Sequence, residues 1–296
     1  MNVAKRIRKT ARRILGPGVT GYLRRRFAKT VAGLDFYKAR LGGGRGLEIG
    51  GPSTLFGEAG ILPIYQGFES LDNCIYSTNT IWTGNLQEGR SFHYHPSKPA
   101  GTQFICDATD LKPIETSSYD SVLASHCLEH VANPIRALRE WKRVLRPDGL
   151  LLLVLPHKDG TFDWRRPTTS LAHMVEDYCH DVGEDDLSHL SEILELHDLQ
   201  RDEAAGSRDN FHRRCLQNFS NRAMHQHVFN TPTALRLVDY IGLQVIRVDV
   251  VKPFHIIILA QHPRMLCDNA AFLGSSSNVL DRSPFPSDRL NKSLTT

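Results

Sequence analysis

Glu48-Ile49-Gly50-Gly51-Pro52-Ser53 ends a short apolar run with two adjacent glycines. Glycine lets a backbone approach a ligand closely. Open α/β sheets bind their ligands beyond the carboxyl ends of the strands. The segment lacks the third glycine of a GxGxxG dinucleotide fingerprint, and no GKS or GKT phosphate loop occurs in the chain. A nucleoside without a pyrophosphate suits such a turn better than NAD does. A plain strand-turn glycine pair is the bland alternative. Two acids stand where a nucleoside needs acceptors. Asp72 follows a weakly marked second strand, where a carboxylate would accept from both ribose hydroxyls; Glu69 competes for that role, and an ordinary turn Asp is the alternative. Asp107-Ala108 directly follows the run Thr102 to Cys106, where the acid would take an adenine amino group.

Ser125-His126-Cys127-Leu128-Glu129-His130 follows a third apolar run, Tyr119 to Ala124. His126, His130 and His157 all fall at or just after strand ends and are the candidate general bases, a role worth a rate factor of about 10²–10⁴. His126 is favoured for the pocket and His157 is the second catalytic candidate. His130, four residues after His126 across a turn, would otherwise cap or pack the next helix. Residues 157–230 hold a further group: His157, Asp163, Arg165, Arg166, His173, Glu184-Asp185-Asp186, His189, His197-Asp198, His225 and His227. A polar lid with solvated charges and backbone-bonded histidines is the favoured reading over a metal or general-base cluster, and no metal is assigned. No HExxH or similarly diagnostic spacing occurs, so spacing alone assigns no metal.

Strands alternating with helices must hold these residues. Gly46–Gly51, Thr102–Cys106, Tyr119–Ala124 and Leu150–Leu155 read as buried strands. Asn133-Pro134 opens a helix with a capping side chain and Pro in the first position. Ile135, Leu138, Trp141 and Leu145 share one face of it, and Pro147-Asp148-Gly149 stops it. Thr231-Pro232 opens another helix, closed by Gly242. Gln244–Val251 and Phe254–Gln261 read as a hairpin joined at Lys252-Pro253. The alternation predicts an α/β, mainly parallel sheet with a C-terminal antiparallel hairpin.

The segment from Ser125 to Gly149 resembles the methyltransferase type 11 group of class I methyltransferases, whose fourth strand runs into an "xSHxLEHxxNP" turn and whose next helix ends in "RVLKPGG". Here these read Ser125-His126-Cys127-Leu128-Glu129-His130, Asn133-Pro134 and Arg143-Val144-Leu145-Arg146-Pro147-Asp148-Gly149. Glu48-Ile49-Gly50-Gly51 is similar to that family's first motif with a shortened glycine loop. The resemblance covers residues 45–160 and, less strongly, 228–262. It implies a Rossmann-like, seven-stranded sheet with a helical insert after the fifth strand. It implies S-adenosylmethionine as cofactor, methyl transfer as reaction and a small-molecule, sugar or lipid-linked acceptor. Carried over, Glu48 contacts the methionine amino group directly or through water, Gly50 and Gly51 pass beneath the cofactor, Asp72 holds the ribose and Asp107 with Ala108 the adenine. Ser125 and His126 lie beside the sulfonium. A catalytically inactive binding or scaffold protein of the same fold is the rival, favoured by the shortened loop.

The chain has 296 residues, 41% apolar, enough for one large α/β domain. Its six cysteines are scattered without a CxxC, which predicts free thiols and a cytoplasmic protein. No run approaches the roughly 18 apolar residues of a membrane span. Residues 1–40 hold twelve Lys or Arg against Asp35 alone, whereas the remainder has more acids than bases. The organisation predicted is a basic arm over 1–41, a methyltransferase domain over 42–262 with an insert or lid over 157–230, and a disordered tail over 263–296. The arm is expected to be a solvated extension or to touch the anionic inner face of a membrane, with contact to nucleic acid the third alternative. By charge the body is not a nucleic-acid binder, and no stable nucleic-acid binding is expected.

Overall fold

The computed structural model describes residues 30–274 and 277–290. Among them, eight strands form one mixed sheet: β1 (Arg45–Ile49), β2 (Ser70–Ile75), β3 (Gly89–Phe92), β4 (Gly101–Ile105), β5 (Tyr119–Ser125), β6 (Leu145–Pro156), β7 (Gln244–Val251) and β8 (His255–Gln261). Their spatial order is β3-β4-β2-β1-β5-β6-β8-β7. The five central strands run parallel. The hairpin expected near the C-terminus is present, with β8 antiparallel to β6 and β7 at the edge. The eighth strand is β3, antiparallel to β4 on the opposite edge. Its sequence, Gly-Arg-Ser-Phe, has one buried residue and gives no alternation to read.

The chain order of the strands reverses about β1: β2 and β4 lie to one side, β5 and β6 to the other. Such a switch point opens a crevice between the carboxyl ends of neighbouring strands. Helix α1 (Leu34–Leu41) precedes β1, and α2 (Pro134–Val144) links β5 to β6. The Asn133 side chain accepts from the Arg136 amide at the start of α2, with Pro134 in the first turn. Ile135, Leu138, Trp141 and Val144 bury one face of α2 on the sheet, together with α7 (Thr231–Tyr240). The other face of the sheet is covered by Tyr37, Phe56, Leu62, Tyr65 and Phe68.

Helices α3 (Leu171–Cys179), α4 (Leu190–Leu196), α5 (Arg208–Leu216) and α6 (Asn218–Asn221) lie between β6 and α7. Helices α4 and α5 contribute to a small separate core of Ile193, Ala205, Phe211, Cys215 and Met224, whereas α3 packs on the main core through Met174. No helix among the described residues is long and apolar enough to cross a membrane.

Two expected boundaries move. Residues 30–41, grouped above with the basic arm, pack on the body: Tyr37 is buried and its hydroxyl donates to Asp249 Oδ2 at 2.6 Å. The rest of the arm, residues 1–29, lies outside the described residues. The expected disordered tail also packs. Helices α8 (Ala270–Leu273), α9 (Asn278–Asp281) and α10 (Pro286–Leu290) follow β8, with Leu280, Phe285 and Asp288 buried. Asp288 accepts from the Thr231 amide (3.0 Å) and hydroxyl (2.6 Å) and from Ser283 Oγ (2.6 Å), which ties this segment to the start of α7. A Ser- and Pro-rich composition conceals an order that comes from polar partners far away in sequence.

Candidate active site

The turn after β1 is built from beneath. Gly50 has φ +77°, a conformation costly for any residue with a Cβ. A Cβ on Gly51 would lie 2.4 Å from the Glu48 carboxylate. That carboxylate is fully buried and accepts from the Ser53 amide (3.0 Å) and the Tyr65 hydroxyl (2.8 and 2.9 Å). Burial pushes its pKa up to about 7, against the pull of Tyr65 and Ser53. Gly51 also donates to the buried Asn73 Oδ1 at 2.9 Å. Glu48 therefore shapes the turn, and it does not line the cavity above it, where the methionine contact was expected.

That cavity, of about 410 Å³, opens at the carboxyl ends of β1, β2, β4 and β5. Gly50, Gly51, Asp107, Ala108, Ser125 and His126 all line it, as the sequence suggests. Asp72 does not. It is the third residue of β2, with three more strand residues before the carboxyl end. Its buried carboxylate accepts from the Thr102 amide (2.6 Å), the Tyr119 hydroxyl (2.7 Å) and Arg45 Nη2 (2.9 Å). Burial alone would raise its pKa, but these donors hold it below the ordinary range. Asp72 is a structural acid, and the cavity wall at the end of β2 is made by Ile75 and Tyr76 instead.

At the end of β4 the Asp107 Oδ1 atom accepts from the Thr109 amide (2.9 Å) and hydroxyl (2.7 Å). Its Oδ2 lies 3.1 Å from Arg222 Nη2, and the same guanidinium pairs with Glu184 at 2.9 Å. Arg222 also lies over the Tyr76 ring, whose hydroxyl donates to Asn221 O at 3.0 Å. Glu184 and Arg222 thus bring the helical segment over the Asp107 end of the cavity. Trp82 and Thr83 line it as well. Glu184 is among the acids singled out from sequence, but nothing in the spacing of Tyr76, Trp82 or Arg222 marks them.

At the end of β5 the Ser125 hydroxyl is buried without a hydrogen-bond partner in the protein. His126 has φ +50°, and its Nε2 lies 3.0 Å from His255 Nδ1. Its Nδ1 lies 3.7 Å from Glu129 Oε1. His130 lines the cavity too; burial, with His225 nearby, lowers its pKa to about 4. His157 is not a catalytic base here. It is fully buried away from the cavity, stacked on Phe285 at 4.0 Å. Its Nε2 donates to Asp288 (3.0 Å), and its Nδ1 accepts from the Asp159 amide (3.2 Å). Both ring nitrogens are occupied, so no proton position is left for an acceptor.

Residues 81–153 match the family model described as a methyltransferase domain. No curated protein matches the chain in sequence. Among solved structures, an S-adenosylmethionine-dependent methyltransferase from Methanosarcina mazei is similar at 17% identity, covering 81% of this chain and 100% of its own, with a TM-score of 0.45. A candidate methyltransferase from Bacillus halodurans is similar at 13% identity, covering 78% of this chain and 97% of its own, with a TM-score of 0.44.

Proposed function

We propose that this chain, which carries a class I methyltransferase domain with S-adenosylmethionine as its cofactor, transfers a methyl group in line to a small-molecule, sugar or lipid-linked acceptor. The observation that carries the reading is one cavity bordered by Gly50-Gly51, Asp107-Ala108 and Ser125-His126, from the carboxyl ends of three parallel strands, β1, β4 and β5. A nucleoside with an amino-acid tail needs a close-approaching backbone, an amine acceptor and a polar group near the sulfur, and these residues offer one of each. Gly50 and Gly51 would pass beneath the methionine portion. Asp107 would accept from the adenine amine, and the unpartnered Ser125 hydroxyl would meet the tail. Bound there, the cofactor supplies a methyl carbon made electrophilic by positive sulfur. The chain's part is to hold the acceptor in line and exclude water, and orientation of this kind supplies about 7–11 kcal/mol of a barrier. His126 takes the acceptor proton where the acceptor is a hydroxyl, with His255 orienting its ring. Residues 157–230 act as the lid, which the reach of Glu184 and Arg222 into the cavity wall supports.

Calorimetric titration with S-adenosylhomocysteine tests this. Wild type should bind one equivalent, and Asp107→Ala should bind about 10- to 100-fold more weakly, the worth of a hydrogen bond to a charged group. Absence of binding by folded wild type would favour the inactive scaffold, the reading that the Arg222 side chain seated on Asp107 supports. Residues 1–40 bring the enzyme to an anionic cytoplasmic membrane face, each nearby cation contributing about 1 kcal/mol. Full-length protein should co-sediment with anionic vesicles at low salt, and a variant lacking residues 1–29 should not; equal partitioning would refute the tether.

A further inference from the structure

Beside the cavity, Glu129, His130 and His225 each offer one ligand atom, and the three atoms lie within 4.8 Å of one another. Their neighbours fix how each is presented. His130 Nδ1 lies 3.0 Å from the Met224 carbonyl, which can only accept, so Nδ1 carries the proton and Nε2 keeps its lone pair. His225 Nδ1 lies 2.5 Å from Asp163 Oδ2 and donates to it, which leaves Nε2 free. Asp163 is held in turn by Arg166, 3.1 Å away and almost wholly buried. A histidine backed by a carboxylate or a carbonyl on its outer nitrogen is the support that orients a metal ligand and raises its basicity.

Glu129 gives the second, independent observation. Its side chain is buried, and its Oε2 has no hydrogen-bond partner. Its Oε1 lies 3.7 Å from His126 Nδ1 and 3.9 Å from His130 Nε2, too far for hydrogen bonds. A buried carboxylate without a donor is costly, and a cation among these atoms removes the cost.

We propose that Glu129, His130 and His225 bind a divalent transition metal of the zinc class, with an open coordination position toward the cavity that His130 lines. Two imidazoles and a carboxylate are the ligand set of a catalytic zinc site, which keeps one position for solvent or substrate. Zinc bonds of about 2.0–2.2 Å require the three atoms to close in by small side-chain rotations. Resting on the methyltransferase reading, the inference narrows the acceptor to one presenting a hydroxyl or thiol. Coordination of that oxygen or sulfur lowers its pKa, its proton passes to His126 and from there to buffer, and the electron pair it retains attacks the methyl carbon while the carbon–sulfur pair returns to sulfur.

The test uses full-length protein dialysed against a chelator and titrated with Zn²⁺ and with Co²⁺. Wild type should bind one equivalent of either, and the Co²⁺ form should show visible bands of a low-symmetry site. Glu129→Gln and His225→Gln should lose the bands. Asp163→Asn, which alters a positioning residue, should keep them with affinity weakened about 10- to 100-fold. S-adenosylhomocysteine binding, measured on each protein, reports separately on the cofactor site and on folding. Wild type that binds S-adenosylhomocysteine but takes up neither metal overturns the metal site. Wild type that binds metal but not S-adenosylhomocysteine leaves the metal site standing and removes the methyltransferase reading. Cobalt bands that persist in folded Glu129→Gln and His225→Gln would also overturn this ligand set.

Discussion

The two walls of the cavity are made in different ways. The sheet wall, Gly50-Gly51, Asp107-Ala108 and Ser125-His126, comes from turns that directly end β1, β4 and β5. Each turn is dictated locally, by an apolar strand running into glycine or a polar residue. The opposite wall, Glu184 and Arg222, arrives from connections between helices about 50 to 100 residues further along. It is held to the sheet wall by the Arg222–Asp107 ion pair and by the Tyr76 hydroxyl donating to Asn221 O. The first wall is thus a consequence of the fold. The second is an attachment, and its hold on the first is open to competition from a ligand.

The largest effect is expected on the sheet wall. Gly50→Val forces a β-branched residue to φ +77° and brings its Cβ to 3.4 Å from Cys127 Sγ. Backbone strain of this kind costs about 1–3 kcal/mol. Affinity for S-adenosylhomocysteine should fall on the order of 100-fold, with the thermal midpoint showing how much of that is lost fold. Unchanged affinity would remove the distinction between the walls.

An intermediate effect is expected where a distant segment fixes the fold. Asp288→Asn should destabilise the protein by about 1–3 kcal/mol near neutral pH. Burial would raise the Asp288 pKa, but hydrogen bonds from His157, Ser283 and Thr231 hold it below the ordinary carboxylate range. Its contribution is therefore complete above the unfolded carboxylate pKa and is lost as pH falls through the lower folded value. Thermal melts across acidic pH should show that limb in wild type and a flatter one in the variant. Identical limbs would mean that the C-terminal segment does not hold His157.

The smallest effect concerns the contact between the walls. Arg222 and Asp107 are partly exposed, so their pair is worth no more than about 1 kcal/mol. Arg222→Ala should release Asp107 and tighten S-adenosylhomocysteine binding by up to about fivefold. Hydrogen exchange should then show weaker ligand-induced protection over 157–230 than in wild type. Weaker binding by the variant would make Arg222 a ligand contact, not a competitor.

The same division decides what the sequence reveals. The turns at Gly50, Asp107 and His126, helix α2 behind its Asn133 cap and the terminal hairpin are legible because their causes lie within a few residues. Asp72 is misread because Asp72-Asn73 interrupts the apolar run of β2, and the partners that bury both polar residues, Tyr119, Gln103 and Gly51, lie in other elements. His157 is misread because strand-end position suggests reactivity, whereas its partner Asp288 lies 131 residues away. Among Glu129, His130 and His225, two are adjacent and the third is far off, so no local spacing joins them. Periodicity reads packing that recurs along one element, and it cannot see a polar pair closed by tertiary structure.

A crystal structure of the full-length protein with S-adenosylhomocysteine tests the central claim most directly. The account predicts the adenine beside Asp107-Ala108, with Arg222 displaced from the carboxylate, the homocysteine over Gly50-Gly51 and the sulfur facing Ser125 and His126. A ligand bound elsewhere, or a cavity still closed by the Arg222–Asp107 pair at saturating ligand, would contradict it.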